Sequence, residues 1–314
     1  MELNAAIKMS TDPIFNKISK VVPEIEWKIH APLIYKINKL KKEKNAVILA
    51  HNYQTPEIYH GIADFAADSL ALAIEASKTK ADIIIMCGVH FMAETAKLMS
   101  PNKKVLLPDM SAGCSLSSSI TGKDVRLLKK KYPGVPVVSY VNTSADVKAE
   151  TDVCCTSANA VKVVESLGVK KVIFLPDDYL GKYVASKTNV EIISWKGTCI
   201  VHEKFTAKEI NEIKEQNPGI VVIAHPECPP DVINASDFAG STTGMSDYVK
   251  KNQPKKVMMV TECSMSDNVQ VENPKVDFIK PCNLCPYMKK ITLPKILDCL
   301  ENESNEILIP DNLM

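Results

Sequence analysis

The amino-acid sequence repeats one pattern three times, and this repetition limits the fold more than any other feature. Each copy has a polar pair directly after a short apolar run, an aspartate 12 or 13 residues after the first polar residue, and a hydroxyl side chain five residues later. The copies are AVILAHNYQTPEIYHGIADFAADS, VPVVSYVNTSADVKAETDVCCTS and GIVVIAHPECPPDVINASDFAGST. Three matches at one spacing indicate three structural units that share a fold.

The segments around each copy repeat as well. A lysine-rich stretch with helical periodicity comes first, namely PLIYKINKLKKEKN, TGKDVRLLKKKYPG and TAKEINEIKEQNPG. Thr121 and Thr206 stand where N-caps belong, and Gly134 and Gly219 stand where the helices should end. Further short apolar runs follow in each copy, and such runs between helical patterns predict βαβ units with buried parallel strands, three to a unit.

We therefore predict an α/β fold of three homologous three-layer α/β/α sandwich domains with parallel sheets, arranged around a pseudo-threefold axis. The predicted boundaries are 1–30 for an N-terminal segment, 31–117, 118–204 and 205–291 for the repeats, and 292–314 for a C-terminal helix and tail. Thr292 lies 86 residues after Thr206, so it should start this last helix, with the proline of Thr-Leu-Pro at the first helical position.

The composition excludes some classes of function. With 46% apolar residues and a net charge of +1, the chain has no basic excess to attract nucleic acid or an anionic membrane. The N-terminal MELNAAIKMSTD lacks the apolar core of a signal peptide, and no apolar run approaches the about 18 residues that span a bilayer. We expect a cytoplasmic protein, whose ten cysteines ligate a metal or lie buried rather than form disulfides.

The candidate binding residues occupy equivalent places in the three copies. The polar pairs follow the first predicted strands, where ligands of parallel α/β units bind, and the hydroxyls come near helix starts, whose free N–H groups suit a carboxylate or phosphate. Taken singly, such residues are more often structural, but here the positions are kept while the side chains differ. We expect one site built from three unlike thirds, with the candidates His51, Tyr53, Ser69, Tyr140, Asn142, Ser157, His225, Glu227 and Thr242.

Other charged residues of the pattern suggest structural roles. The aspartate does not vary, so Asp64, Asp152 and Asp237 are interpreted as turn or cap residues. Arg126 is the only arginine of the chain and lies in a lysine-rich helix that should face solvent. Anionic groups of a substrate would therefore be held by hydroxyls, amides, histidines, lysines or helix N-termini rather than by arginine.

Three cysteines share one position of the repeat. Cys199 lies 85 residues after Cys114, and Cys285 lies 86 residues after Cys199. Three thiolates that converge on a threefold axis suit three irons of a [4Fe–4S] cluster and leave the fourth iron without a protein ligand. An iron of this kind can act as a Lewis acid toward oxygen.

The remaining cysteines carry weaker signals. Cys282 competes with Cys285, because Cys282-x-x-Cys285 resembles half of a zinc site or a redox pair, but no second C-x-x-C exists to complete four zinc ligands. No G-x-G-x-x-G follows a strand, and SSSITGKD lacks the first glycine of a P-loop, so a nucleotide cofactor is not supported. The others are interpreted as small buried hydrophobic residues: Cys87, Cys154, Cys155, Cys228, Cys263 and Cys299.

Several motifs together resemble the A-type quinolinate synthase family of de novo NAD biosynthesis. They are LAHNYQ, DSLALA, GVHFMAETAK, SAGCSL, SYVNTSA, CTSANA, HPEC, AGSTTGM and CNLCPYM, and the resemblance extends from about Ile34 to Met288. It implies three α/β domains around a central site with a three-cysteine [4Fe–4S] cluster. It also implies that iminoaspartate and dihydroxyacetone phosphate condense to quinolinate, with loss of phosphate and two waters. A functional link to an aspartate oxidase or dehydrogenase that produces iminoaspartate is expected as well.

The resemblance also implies roles for single residues. Glu227 is the candidate general base, while Tyr53, His51 and His225 are expected to take part in proton transfer. Tyr140 and Asn142 should orient the dicarboxylate. The implied cluster ligands are Cys114, Cys199 and Cys285, and the implied iminoaspartate contacts are His51, Ser69, Tyr140, Asn142, Ser157, His225, Glu227 and Thr242. His202 should lie near the cluster, and no role is assigned to it, to His90 or to Glu94.

Two rival functions use the same residues. An iron–sulfur sensor or electron-transfer protein would favour four protein ligands and no polar pocket, whereas this chain has three equivalent cysteines and a set of acid–base and hydroxyl groups. A related lyase could use the open iron on another small dicarboxylate.

Overall fold

The computed structural model describes residues 3–314. The chain divides into two compact units. The first contains Met1–Ala112, Cys263–Pro274 and Leu284–Ile309, and the second contains Gly113–Glu262, Lys275–Asn283 and Pro310–Met314. The predicted boundaries of three domains stay a prediction.

Helices and strands alternate along the described chain. The strands are β1 Ala46–His51, β2 Phe65–Ala67, β3 Ile83–Cys87, β4 Lys104–Leu106, β5 Val137–Tyr140, β6 Val153–Cys155, β7 Lys171–Leu175, β8 Glu191–Ser194, β9 Val221–Ala224, β10 Phe238–Ala239, β11 Lys256–Val260 and β12 Asp277–Ile279. The α-helices are α1 Ala5–Ile18, α2 Glu24–Glu43, α3 Pro56–Tyr59, α4 Ser69–Lys78, α5 His90–Met99, α6 Gly122–Lys131, α7 Ala145–Ala149, α8 Ala160–Ser166, α9 Asp178–Ala185, α10 Ala207–Gln216, α11 Pro230–Ala235, α12 Thr242–Asn252, α13 Cys263–Glu272 and α14 Leu293–Asn302.

The strands form three parallel sheets with the same topology, which confirms the predicted α/β fold. The first unit contains the sheet β2-β1-β3-β4, and the second unit contains β6-β5-β7-β8 and β10-β9-β11-β12. The expectation of three strands per sheet was wrong, because each sheet has a fourth, edge strand directly after the repeated aspartate. These edge strands are only two or three residues long, too short to give a recognisable apolar run.

The repeated aspartates have the structural role that was predicted for them. In each sheet, one carboxylate oxygen accepts a hydrogen bond from a backbone N–H of the first strand, and the other faces a lysine. This arrangement fixes the turn that leads into the edge strand. The hydrogen bonds are Ile48 N–H to Asp64 at 2.8 Å, Val137 N–H to Asp152 at 2.7 Å and Val222 N–H to Asp237 at 2.8 Å.

The predicted helix boundaries are largely confirmed. Thr121 and Thr206 each form a capping box with the acidic residue three positions later. Gly134 and Gly219 follow the ends of α6 and α10 with φ of 77° and 80°, a conformation that glycine adopts without strain. Thr292 is the N-cap of α14, but the helix begins at Leu293, so its proline is the second helical residue rather than the first.

The central strands of each sheet are buried, and this holds their carboxyl ends in fixed positions. In the second sheet, Val137, Ile173 and Leu175 pack with Val125 of α6 and Val147 of α7. The third sheet has the equivalent cluster of Ile210, Val222, Ala224, Val232, Met258 and Val260. Within residues 3–314, none of the helices combines the length and the apolar character needed to cross a membrane.

Candidate active site

Polar side chains that follow the first strands of two sheets meet in the second unit. The Tyr140 hydroxyl donates a hydrogen bond of 2.7 Å to Oε1 of Glu227, and the Asn142 amide donates one of 3.4 Å to the same oxygen. The Ser157 hydroxyl lies 3.4 Å from Nε2 of His225, whose Nδ1 accepts the backbone N–H of Glu227 at 3.3 Å. Four candidate residues are therefore grouped around a fifth, Glu227, which is only 4% exposed.

His202 connects this carboxylate to a cysteine. Its Nδ1 lies 2.8 Å from Oε2 of Glu227 and 3.1 Å from Sγ of Cys199, and its Nε2 lies 2.9 Å from the hydroxyl of Thr261. The ring stacks on His225 with a centroid distance of 4.8 Å. From the three-residue spacing, the sequence predicted that His202 lies near the cluster ligand Cys199, but it assigned no role to His202 and did not single out Thr261.

The surroundings of Glu227 favour its ionised form. Burial by itself raises the pKa of a carboxyl group, because the carboxylate loses its hydration. At Glu227 the charges of His225 and His202 and the hydrogen bonds from His202 and Tyr140 outweigh burial and hold the pKa below its usual range. The site therefore contains a buried, oriented negative charge next to groups that can release protons.

Two of the predicted cluster ligands lie on loops that are tied together in the second unit. The Ser115 hydroxyl donates to the Thr198 carbonyl at 2.9 Å and accepts the Ile200 N–H at 3.2 Å. These bonds link the residue after Cys114 to both neighbours of Cys199. Burial raises the pKa of the Cys199 thiol, and the nearby Glu227 and Cys114 raise it further. Positive charge from a bound metal would offset this accumulation of anionic groups, so the thiols are suited to a thiolate-ligated metal centre.

A metal could also be held by a mixed set of donors. The thiol of Cys199, the imidazole of His202 and the carboxylate of Glu227 each offer an atom within 4.8 Å of the other two. The contacts of His202 with Glu227 and Cys199 already explain this proximity, so it does not by itself require a metal.

The first unit contains the other candidate residues. His51 ends β1 and contacts Tyr53 edge-on, with a centroid distance of 4.7 Å, and Ser69 is the first residue of α4. The Lys289 ammonium donates to the Tyr53 carbonyl at 2.9 Å. Cys285 also belongs to this unit and is not disulfide-bonded.

Three further residues have simple local surroundings. Thr242 is in the second unit as the buried first residue of α12. His90 begins α5 in the first unit, with its Nδ1 3.8 Å from Glu94, and the hydrogen bond with Glu94 raises the pKa of His90.

Two cysteines depart from the expectation of free thiols. Cys263 and Cys282 are disulfide-bonded, whereas the other eight cysteines are not. Glu262 and Asn283, their neighbours in the sequence, form a parallel bridge in the second unit. The sequence could not indicate the disulfide-bonded state, because it depends on the short strand β12 lying beside β11. The structure therefore gives no support to a zinc or redox pair formed by Cys282 and Cys285.

The topology and these contacts define a class of protein: an α/β enzyme with its acid–base groups at the carboxyl ends of parallel strands, next to cysteines suited to a metal. Comparison with known proteins is more specific. The sequence model of the quinolinate synthetase A protein family matches residues 35–314. The chain belongs to this family, which confirms the resemblance seen in the sequence.

Curated relatives support the same assignment over nearly the whole chain. A quinolinate synthase of Sinorhizobium fredii is 61% identical over 304 residues, which are 97% of this chain and 85% of the relative. Quinolinate synthase 1 of Mesorhizobium japonicum is 58% identical over 305 residues, 97% of this chain and 94% of the relative. A quinolinate synthase of Caulobacter vibrioides is 57% identical over 307 residues, 96% of this chain and 84% of the relative.

Proposed function

We propose that the protein condenses iminoaspartate with dihydroxyacetone phosphate to quinolinate, releasing phosphate and two waters, as a step of NAD biosynthesis. The observation that carries the proposal is the buried Glu227 carboxylate, held by Tyr140 at 2.7 Å and His202 at 2.8 Å in a chain of the quinolinate synthetase A family. Condensation followed by two dehydrations requires repeated proton transfers at carbon and hydroxyl oxygen. A fixed carboxylate beside two imidazoles is suited to such transfers.

Glu227 and His202 would act as a pair. A carboxylate whose pKa is held below its usual range accepts a proton poorly while His202 and Tyr140 donate hydrogen bonds to it. If the proton on Nδ1 of His202 moved away, Glu227 would lose a hydrogen bond and would become the stronger base. Glu227 is therefore assigned as general base, with His225, His51 and Tyr53 assigned to further proton transfers.

The proposal assigns iminoaspartate binding to residues from all three repeats. Tyr140 and Asn142 would orient the dicarboxylate, since both donate hydrogen bonds to Glu227 and can donate equally well to a substrate carboxylate. The full set of proposed contacts is His51, Ser69, Tyr140, Asn142, Ser157, His225, Glu227 and Thr242.

The proposed cofactor is a [4Fe–4S] cluster with Cys114, Cys199 and Cys285 as ligands. The bonds of Ser115 around Cys199 and the shared repeat position support this choice. None of the three cysteines is disulfide-bonded, whereas Cys282 is. When bound, the cluster would supply a Lewis-acidic iron without a protein ligand. His202 would hold a proton between the Cys199 sulfur and Glu227.

Three broader features belong to the same proposal. The sheets would correspond to domains 31–117, 118–204 and 205–291, related by a pseudo-threefold axis. An aspartate oxidase or dehydrogenase would supply iminoaspartate, which is the imine that oxidation of aspartate produces. The protein would act in the cytoplasm, where thiols such as Cys114 and Cys199 stay reduced.

The test of the proposed reaction is anaerobic purification and measurement of quinolinate formed from the two substrates. Glu227→Gln keeps the side-chain volume but removes the basic carboxylate, so it should abolish turnover while the protein still folds and keeps its iron. Glu212→Gln, on the exposed face of α10, is the matched control and should leave turnover unchanged. Full turnover of Glu227→Gln would reject the assignment of general base. A folded, iron-loaded wild type that makes no quinolinate would favour an electron-transfer protein or another lyase.

The cysteine ligands are tested separately by iron and sulfide content. Replacement of Cys114, Cys199 or Cys285 by Ala should remove the cluster, whereas Cys282→Ala should retain it. A cluster that survives loss of any of the first three, or that needs Cys282, would contradict the proposed ligand set.

A further inference from the structure

Asp177 lies at the same sheet edge as Tyr140 and Asn142, but it follows the second strand rather than the first. Strands β5 and β7 are parallel neighbours, with Ser139 paired to Leu175. The next residues along the two strands, Tyr140 and Pro176, therefore emerge side by side, and Asp177 comes directly after Pro176. The topology thus brings a carboxyl group to the edge that carries the proposed substrate contacts.

The two oxygens of Asp177 have different surroundings. Oδ1 accepts the N–H groups of Tyr179 at 2.8 Å and Leu180 at 2.9 Å, which makes Asp177 the N-cap of α9. Oδ2 is buried and has no hydrogen-bond partner among the described residues, and the residue as a whole is 0% exposed. Capping requires only one oxygen, and serine or asparagine serves as well as aspartate. A buried second oxygen therefore needs another explanation.

The charges around Asp177 favour its neutral form. Burial raises the pKa of Asp177, and the Glu227 carboxylate raises it further, with a smaller effect from Asp178. Asp177 in turn contributes to the raised pKa of Cys228, after burial and Glu227. Two buried carboxyl groups that raise each other's pKa favour a state with one negative charge over a state with two. The charge belongs to Glu227, which accepts hydrogen bonds from Tyr140 and His202.

The adjacent residue shows the opposite behaviour. Asp178 accepts hydrogen bonds from Lys182 at 2.7 Å and Lys196 at 2.8 Å. Burial opposes ionisation there as well, but the two lysines outweigh it and lower the pKa of Asp178. Two consecutive aspartates therefore differ in charge, and Asp178 provides a matched control for Asp177.

We propose that Asp177 is a further substrate-binding residue, a neutral carboxylic acid that caps α9 through Oδ1 and donates a hydrogen bond from Oδ2 to a carboxylate of the bound substrate. The inference rests on the proposed function, which supplies a dicarboxylate substrate. An O–H donor to a carboxylate forms one of the strongest hydrogen bonds in proteins, and it carries no charge that must be neutralised. This suits a chain whose only arginine, Arg126, pairs with Glu150 away from the site.

Three variants of the complete, iron-loaded protein test the proposal. Asp177→Asn keeps the capping oxygen and replaces Oδ2–H by an N–H donor. Asp177→Ser keeps a capping oxygen but has no second donor at that place. Asp178→Asn alters the adjacent, ionised aspartate. We expect Asp177→Ser to raise the KM for iminoaspartate and the Kd for quinolinate about tenfold, the effect of one lost hydrogen bond. Its kcat should change much less, while Asp177→Asn and Asp178→Asn stay near wild type in KM and Kd.

A spectroscopic measurement gives an independent readout. In infrared spectra of protein with isotope-labelled aspartate, the carbonyl band of a protonated carboxylic acid should disappear in both Asp177 variants and remain in Asp178→Asn. Wild-type affinity in Asp177→Ser would show that Asp177 only caps the helix and would overturn the proposal. Equal losses in Asp177→Asn and Asp177→Ser, or an acid band that both variants retain, would also overturn it. Failure of the wild type to form quinolinate would reject the proposed function, whereas the infrared band would still decide the protonation of Asp177.

Discussion

The repeated aspartates allow one perturbation to be compared at three equivalent positions. Asp64→Ala, Asp152→Ala and Asp237→Ala each remove the hydrogen bond from a first-strand N–H. They differ in the lysine that loses its partner. The Lys41 side chain is 10% exposed and lies 2.8 Å from Asp64, Lys214 is 30% exposed at 3.0 Å from Asp237, and Lys129 is 37% exposed at 3.7 Å from Asp152.

These differences set the expected magnitudes. Loss of a hydrogen bond to a charged acceptor costs about 1.5–3 kcal/mol, and this part is common to the three variants. At Asp64 a nearly buried ammonium group is also left without its counter-ion, and removal of one partner of a buried ion pair costs about 3–5 kcal/mol in all. Asp64→Ala should therefore lower the free energy of unfolding by about 2 kcal/mol more than Asp152→Ala, with Asp237→Ala in between.

The two tryptophans of the chain permit a separate measurement for each unit. Trp27 lies in the first unit with Asp64, and Trp195 lies in the second with Asp152 and Asp237. Trp195→Phe and Trp27→Phe backgrounds would each leave one reporter for denaturant unfolding followed by fluorescence. Lys41→Met in the Asp64→Ala background is the control, because removing the stranded charge should recover part of the loss. Equal losses at the three sites, or no recovery with Lys41→Met, would refute the reasoning.

Three other perturbations follow from single contacts. Burial, followed by the charge of Lys17, lowers the pKa of His60 from 6.5 to about 4. Because the unfolded state binds the proton more tightly, the free energy of unfolding should fall by up to about 3 kcal/mol as the pH drops through this interval. His60→Gln should flatten that dependence in urea titrations at several pH values, and an unchanged slope would contradict it. Tyr140→Phe removes the 2.7 Å bond to Glu227 and should lower kcat/KM for quinolinate formation about tenfold; a wild-type value would exclude a role for this bond. Gly219→Ala places a side chain on a residue with φ of 80°, and no other atom lies within 4 Å of the added Cβ. Backbone strain alone should therefore lower the free energy of unfolding by about 1 kcal/mol in denaturant titrations, and an unchanged value would contradict this expectation.

The sequence predicted those parts of the fold that depend on short local patterns present in more than one repeat. Thr121 and Thr206 were identifiable as caps because the capping box is a local pattern, and the apolar runs identified the central strands. The edge strands were missed, since two or three residues such as Phe238–Ala239 carry no periodicity. The disulfide-bonded state of Cys263 and Cys282 was missed for a different reason: it depends on strand pairing, which the spacing of cysteines does not encode.

The candidate site shows the same division between local and tertiary information. Tyr140, Asn142, His225 and Glu227 were found because each follows an apolar run at a repeated position. Asp177 also lies directly after a strand, but the sequence alone predicts only an ordinary helix cap at such a position. Its second carboxyl oxygen is buried without a hydrogen-bond partner among the described residues, and only the tertiary structure shows this. His202 begins a short 3-10 helix that recurs three residues after each repeated cysteine, where the other two copies have Ser117 and Met288. The position is therefore regular, but the contacts of His202 with both Glu227 and Cys199 come only from the tertiary structure.

The residues that follow the second strand of each sheet also occupy equivalent positions. Strand register makes Gly88-Val89, Pro176-Asp177 and Thr261-Glu262 equivalent pairs, because Cys87, Leu175 and Val260 are the last residues paired to the first strand in each sheet. Val89, Asp177 and Glu262 are all buried, so the position is one that an apolar side chain fills without cost. Two acidic residues occur there nevertheless, both in the second unit, and Thr261 beside one of them bonds to Nε2 of His202. Burial of a carboxyl group at a place where valine fits is a stability cost that packing does not require. The first-strand ends therefore provide several of the groups proposed to contact substrate. The second-strand ends of the second unit provide Thr261, which holds His202 beside Glu227, and the proposed further donor Asp177.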